Sequence, residues 1–189
     1  MNYIDKNSLN ISISTSIIIL DVDGTLTPHR GGYDKQCMFY KGWNLYSKDY
    51  QKMEEVELIK KMLLLLRKNN FMIIYNSNGR KYDILSLFKH LDIQPDCGNS
   101  REDTYTKSQY LDTIQTEFKD NKIYYAEDDV DYLSKSKVYN ISCNNGWWLG
   151  KQLKVIVENL KNEHILPEEV RDLYKLLYMQ SDNILQEFE

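Results

Sequence analysis

The chain has 189 residues, 42% of them apolar, and 15 tyrosines, a composition typical of one folded domain rather than a disordered protein. The net charge of −4 is unlike the strongly basic character typical of nucleic-acid-binding proteins. No apolar run approaches the roughly 18 residues of a membrane helix, and residues 1–15 do not resemble a signal peptide. Because the three cysteines are widely spaced, we expect a cytoplasmic protein without disulfides or structural zinc. The lack of a long apolar run predicts no membrane partner.

Short apolar runs alternate with helical periods along the chain. The pattern predicts strands at residues 16–20, 71–75, 122–126 and 138–142, and a short edge strand at 11–13. Helical spacing predicts helices at residues 53–68, 82–91, 106–118 and 149–160, and Pro167 begins a last one. This alternation predicts an α/β fold, a Rossmann-like three-layer sandwich with a mostly parallel sheet. In such sheets the ligand lies beyond the carboxyl ends of the strands.

Residues 161–189 differ from the rest of the chain in charge. This segment holds three basic and seven acidic residues, so it carries the whole net charge of −4. We therefore expect an acidic helical tail after a domain at residues 16–160, and a flexible lead-in at residues 1–15.

Two acids directly follow the first predicted strand, in the run Asp21-Val22-Asp23-Gly24-Thr25-Leu26-Thr27. Acids two positions apart in extended chain point the same way, and the glycine permits a sharp turn. Alone, the run is also compatible with a turn whose acids only cap the backbone.

Polar groups also follow the second strand and begin the third predicted helix. Ser77, Asn78, Gly79 and Arg80 end the second strand, and their donors can hold a phosphoryl oxygen. Lys107 begins a helix, where the dipole disfavours a cation unless a negative charge lies nearby. Each feature has an ordinary alternative, a plain loop and a surface lysine.

Four acids lie within residues 127–131, after the third of the long strands: Glu127, Asp128, Asp129 and Asp131. Acids this close repel one another unless solvent or a cation relieves them. Hard oxygen ligands suit Mg²⁺, although a solvated helix start would look similar.

These four elements, in this order over residues 17–160, resemble the haloacid dehalogenase superfamily of phosphatases. The run DVDGTLT after SIIIL is similar to the nucleophile motif of that family. Ser77, Lys107 and the pair Glu127-Asp128 match its Ser/Thr, Lys and acidic positions. The resemblance implies a catalytic domain at residues 16–160.

The resemblance also implies a mechanism. Asp21 would attack phosphorus and form an aspartyl-phosphate, with Asp23 as general acid and base. Ser77 and Lys107 would stabilise the phosphate oxygens, and Asn78, Gly79 and Arg80 become candidate substrate contacts.

The cofactor implied by the resemblance is Mg²⁺. Asp21, the Asp23 carbonyl and Asp128 would hold the ion. Glu127 would support it, and Asp129 is a further candidate ligand.

Residues 27–52 form the insertion that the spacing allows, too short for a cap domain but long enough for a flap. Five basic residues outnumber two acids there: Arg30, Lys35, Lys41, Lys48 and Lys52 against Asp34 and Asp49. Such a flap would attract an anionic substrate, with Arg30 as the first candidate contact. Solvated surface charges are the alternative.

Two groups of capless phosphatases compete for the substrate. Arg30-Gly31-Gly32-Tyr33-Asp34, with Arg80 and Asp103, resembles polynucleotide 3′-phosphatase domains. Lys41-Gly42-Trp43 and Asp49 resemble the 3-deoxy-manno-octulosonate 8-phosphate phosphatases, which are tetramers, so a homo-oligomer is one expectation. We favour a small phosphorylated metabolite over a nucleic-acid end. A non-catalytic binding module is the alternative of another class, against which the intact Asp21 and Asp23 argue.

Overall fold

A computed structural model describes residues 11–23, 25–26, 60–61, 63–64, 66–68 and 70–142. Five strands are present among them: β1 Ser16–Leu20, β2 Phe71–Asn76, β3 Cys97–Asn99, β4 Ile123–Glu127 and β5 Tyr139–Ser142. The labelled helices are α1 Lys81–His90, α2 Lys107–Glu117 and α3 Val130–Lys135. The described residues between 60 and 68 are also helical.

The five strands form one sheet in the order β3-β2-β1-β4-β5, and every neighbouring pair is parallel. The central strand, β1, pairs with β2 through Ile18↔Ile73 and with β4 through Ile18↔Tyr124. Its run of isoleucines and leucine is fully buried, as expected for a parallel strand covered on both faces. The α/β, Rossmann-like prediction is therefore confirmed.

Helices cover both faces of the sheet. On one face, Ile17 and Ile19 of β1 belong to a core cluster with Leu111 and Ile114 of α2. On the other face, Tyr75 of β2 contacts Phe88 of α1, with ring centroids 5.9 Å apart. The alternation of side chains along a strand separates the two sets.

The connections create a crevice between β1 and β4. From β1 the chain moves outward to β2 and β3, then returns across β1 to β4 and β5. The order thus reverses between β1 and β4, which is where open α/β sheets bind ligands. The residues that follow β1, β2 and β4 are therefore placed at one edge of the sheet.

Most predicted elements are present within one or two residues of their expected bounds. The strand expected at residues 11–13 is wrong: these residues lead into a turn, in which the Thr15 N–H donates to the Ser12 carbonyl at 3.0 Å. Ile13 is 74% exposed, and residues 11–13 pair with no strand of the sheet.

Two elements were not predicted, β3 and α3. Strand β3 has no apolar run and is held by its pairing with β2. Helix α3 is only six residues long and begins inside the acidic run, so its apolar residues gave no clear helical spacing. Part of the helix predicted at 53–68, the flap, the helix at 149–160, the last helix and the tail lie outside the described residues.

Candidate active site

Asp21 lies at the carboxyl end of the central strand. Its backbone N–H donates to the Ala126 carbonyl at 2.9 Å, which continues the β1–β4 pairing and fixes the residue at the crevice. The side chain is buried, and its Oδ1 lies 2.6 Å from the Lys107 Nζ. A buried carboxylate at this place is therefore paired with a buried cation.

Lys107 is the first residue of α2, as the sequence predicted, and only 5% of it is exposed. Thr106 and Gln109 form a capping box that fixes the start of the helix. The Asn76 side chain donates to the Lys107 carbonyl at 2.9 Å and so ties the helix start to the end of β2. These contacts hold the ammonium in the crevice.

Glu127, the last residue of β4, is fully buried and holds Lys107 from the other side. Its Oε2 lies 2.6 Å from the Lys107 Nζ and accepts from the Tyr125 hydroxyl at 2.5 Å. Its Oε1 accepts from the Asp129 backbone N–H at 3.1 Å. Both oxygens are thus engaged, and Glu127 acts as an anchor for Lys107.

Burial dominates the electrostatics of these groups. It raises the pKa of Asp21 well above 3.8, against the opposing attraction of Lys107. Burial likewise raises the pKa of Glu127, with Lys107 again opposing. Burial alone would lower the pKa of Lys107, but Asp21 and Glu127 outweigh it and raise that pKa above its ordinary value. One charged lysine therefore neutralises two buried acids only in part.

The carboxylates fit a metal ion. Oxygens of Asp21, Glu127 and Asp128 lie within 4.8 Å of one another. Carboxylate oxygens are hard ligands, and the negative charge that Lys107 leaves uncompensated favours a cation. Because both Glu127 oxygens are engaged, Asp21 and the partly exposed Asp128 are the better candidate ligands.

Asp129 has a different role in the geometry. It is the N-cap of α3, and its Oδ1 accepts from the Asp131 N–H at 2.8 Å. Asp129 is exposed. Its carboxylate is therefore engaged in the helix cap, although the residue also lines the cleft.

The loop after β2 closes against Asp23. A Cβ at Gly79 would lie 3.1 Å from the Asp23 Oδ2 and 3.3 Å from the Ser77 Oγ, so only glycine permits this approach without a shift. Ser77 is buried, and its Oγ accepts from the Gly79 N–H at 3.0 Å. Asp23 and Ser77 are thus brought to the same loop.

The predicted residues line a cleft of about 150 Å³ at the edge of the sheet. Its lining residues come from the ends of β1, β2 and β4 and from helices α2 and α3: Asp21, Asp23, Ser77, Asn78, Lys107, Glu127, Asp128, Asp129 and Tyr132. The sequence had singled out all of these except Tyr132.

One predicted substrate contact, Arg80, is not brought into this cleft. Its guanidinium pairs with Asp83 at 2.6 Å. Arg30 lies outside the described residues. Gly79 contributes through the space it leaves beside Asp23.

Two tyrosines of the site were missed by sequence reasoning. Tyr125 is two residues before Glu127 in a strand, so the period of two could have placed its hydroxyl beside that carboxylate. Tyr132 lies with its ring centroid 4.6 Å from the Lys107 Nζ, and its hydroxyl accepts from the Asn78 side chain at 3.0 Å. No motif or spacing signals that contact.

Among the described residues, no helix has the length and apolar character needed to cross a membrane. Comparisons with protein-family models, with curated proteins and with solved structures gave no match. The resemblance to haloacid dehalogenase phosphatases therefore stays a prediction from the residues.

Proposed function

We propose that this protein is a magnesium-dependent phosphomonoester hydrolase of the haloacid dehalogenase type, with Asp21 as its nucleophile. The observation that carries the proposal is the position of the Asp21 carboxylate. It is buried at the switch point of the sheet, 2.6 Å from the Lys107 ammonium and clustered with the Glu127 and Asp128 carboxylates. A paired carboxylate at this place suits attack on an anionic phosphoryl group.

The proposed reaction has two steps. An Asp21 oxygen attacks phosphorus, the bond from phosphorus to the leaving oxygen breaks, and Asp23 supplies the proton to that oxygen. Asp23 then removes a proton from water, whose oxygen attacks phosphorus. The bond from phosphorus to the Asp21 oxygen breaks, which releases phosphate and restores the Asp21 carboxylate. Asp21 and Asp128 would hold a Mg²⁺ ion, which would supply charge neutralisation at the phosphate oxygens.

The neighbours of Asp21 support an ionised nucleophile and the binding of a phosphoryl group. Lys107 stabilises ionised Asp21 and can also contact a phosphoryl oxygen, since its ammonium has three donors. Glu127 holds Lys107 in place, and Tyr125 in turn donates to Glu127. Asp23 lies against the loop that carries Ser77, a second donor for phosphate.

For the substrate we propose a small phosphorylated metabolite, such as a sugar phosphate, rather than a nucleic-acid 3′ end. Two described residues that suggested the 3′-phosphatase are engaged in local ion pairs. Arg80 pairs with Asp83 at 2.6 Å, and Asp103 pairs with Lys81 at 2.8 Å. Neither Arg80 nor Asp103 lines the cleft. Among the described residues, the cleft therefore offers little positive charge for binding a polynucleotide.

Hydrolysis of p-nitrophenyl phosphate with Mg²⁺ tests the enzyme proposal. We expect turnover that EDTA abolishes and that Asp21→Asn reduces to background. Asp92→Asn is the matched control, because the Asp92 side chain is 87% exposed and follows the C-terminal end of α1, whereas the loop after β2 precedes its start. Equal, negligible rates for the wild type and Asp21→Asn across a metal panel would favour the non-catalytic binding module.

The substrate class needs a second assay. Phosphosugars, nucleotides and a 3′-phosphorylated oligonucleotide are compared by phosphate release at equal concentration. Release from the oligonucleotide alone would replace the small metabolite with polynucleotide 3′ ends.

A further inference from the structure

Tyr132 and Asn78 are joined across the mouth of the cleft. Asn78 follows β2 and Tyr132 lies in α3, which follows β4. The Asn78 Nδ2 donates to the Tyr132 hydroxyl at 3.0 Å, although 54 residues separate the two in sequence. Because β1 lies between β2 and β4 in the sheet, this hydrogen bond spans the strand end that carries Asp21.

The same tyrosine contacts the charged centre of the cleft. Its ring centroid lies 4.6 Å from the Lys107 Nζ, within the range of a cation–π interaction. Lys107 in turn lies 2.6 Å from Asp21. Tyr132 thus reaches from the ion pair at the bottom of the cleft to Asn78 at the rim.

The cleft is small for a whole metabolite. Its volume is about 150 Å³, whereas pockets that enclose a drug-sized ligand measure roughly 300–1,000 Å³. A space of this size suits the transferred group, with the remainder of the ligand outside the rim. Asn78 is exposed and Tyr132 partly exposed, so both can meet that remainder.

We propose that the Tyr132–Asn78 hydrogen bond is a specificity-determining bridge that admits phosphoryl groups on slender leaving groups and excludes bulky ones. This inference rests on the proposed function for the identity of the transferred group. The bridge is a single solvent-exposed hydrogen bond. We therefore expect a substitution that removes it to change the selectivity between slender and bulky leaving groups only modestly. The ring of Tyr132 has a separate positioning role for Lys107.

Two conservative variants cut the bridge from opposite sides. Tyr132→Phe removes the hydroxyl but keeps the ring beside Lys107, and Asn78→Ala removes the donor. Tyr132→Leu removes the ring as well. Tyr82→Phe is the matched control, because Tyr82 is 76% exposed on α1 and does not line the cleft.

The first measurement is binding, which does not depend on turnover. Dissociation constants for phenylphosphonate and the bulkier biphenylphosphonate are measured by calorimetry with Mg²⁺. We expect the wild type to favour phenylphosphonate, and the preference to fall by about fivefold in Tyr132→Phe and in Asn78→Ala, the order expected for one exposed hydrogen bond. The double variant should fall no further, because both changes cut the same bond.

The second measurement is hydrolysis of the corresponding aryl phosphates. We expect Tyr132→Phe to lower the KM of the bulky ester and to change kcat less. Tyr132→Leu should also lower kcat, because the ring that positions Lys107 is lost. Unchanged selectivity in both bridge variants, additive effects in the double variant, or an equal change in Tyr82→Phe overturns the proposal. Failure of the wild type to bind either phosphonate overturns it as well. Binding with the expected selectivity but without hydrolysis would support the bridge while rejecting the enzyme.

Discussion

The Lys107 ammonium lies 2.6 Å from the Glu127 carboxylate on one side and 2.6 Å from the Asp21 carboxylate on the other. All three side chains are at least 95% buried. Their mutual attraction offsets a large desolvation cost, and removing the lysine would leave two buried acids without compensation.

The first prediction concerns Glu127→Gln. This change removes one negative charge but keeps the shape, so Lys107 loses an anchor and Tyr125 faces a neutral acceptor. We expect the free energy of unfolding to fall by about 2 kcal/mol, the order for lost hydrogen bonds to a charged group, since Lys107 still pairs with Asp21, and turnover to fall with it. Urea denaturation gives the first value. Asp120→Asn, an exposed acid, is the control, and an equal small effect of both variants would contradict the anchor role.

The second prediction separates two adjacent acids. Asp128→Asn should weaken Mg²⁺ binding, whereas Asp129→Asn should leave it nearly unchanged, because asparagine also caps a helix. The rise in melting temperature with Mg²⁺ measures binding without reference to activity, since a ligand of the folded state stabilises it. The reverse order of the two variants would place the metal on Asp129 instead.

The sequence was informative where one residue's chemistry and its strand position coincided. Asp21, Ser77 and Glu127 each lie at or just after the end of an apolar run, so parallel-sheet geometry was enough to predict their shared edge. Lys107 was predicted for a similar reason, because a cation at a helix start needs an acidic neighbour.

Contacts between distant residues could not be predicted in this way. The Tyr132–Asn78 bridge joins two helix or loop positions whose distance depends on how α3 packs, and no periodicity in the sequence encodes that. Strand β3 could not be predicted for the same reason. Its three residues are held by backbone hydrogen bonds to β2, which any sequence can make. Arg80 pairs with Asp83, three residues on, an ion pair that the sequence reading did not anticipate, and its contact with substrate stays a prediction.

Gly98 supports the third prediction. A Cβ at this position would lie 2.1–2.4 Å from ring atoms of Tyr75, so alanine forces the ring or strand β3 to move. We expect Gly98→Ala to lower the free energy of unfolding by about 1–3 kcal/mol, as overpacking does. Combining it with Tyr75→Leu should recover part of the loss, and additive losses in chemical denaturation would contradict the contact.

The fourth prediction concerns the thiol of Cys97. Burial raises its pKa to about 12, so only about one thiol in ten thousand is ionised at pH 8. Because the thiolate is the reactive form, Cys97 should react slowly with a thiol reagent in the native protein and fast in urea. A Cys37→Ser/Cys143→Ser background isolates the signal. Equal rates in the two conditions would show that the thiol is accessible.

The fifth prediction concerns Asp103 and the pH dependence of stability. Burial opposes its ionisation, but hydrogen bonds from Lys81 and Ser100 outweigh that effect and lower its pKa below 3.8. A lowered folded-state pKa means that the unfolded chain binds the proton more readily. Ionised Asp103 therefore stabilises the fold above about pH 4, and this stabilisation is lost as the pH falls through the folded-state pKa.

Asp103→Asn should accordingly lower the free energy of unfolding by about 1 kcal/mol at pH 7, and by less at pH 3.5. Guanidinium denaturation at the two pH values measures the difference between the variant and the wild type. Asp92→Asn, at an 87% exposed side chain, should give a small difference at both. A difference for Asp103→Asn that grows as the pH falls would show that its folded-state pKa is raised, and that Lys81 does not stabilise the charged form.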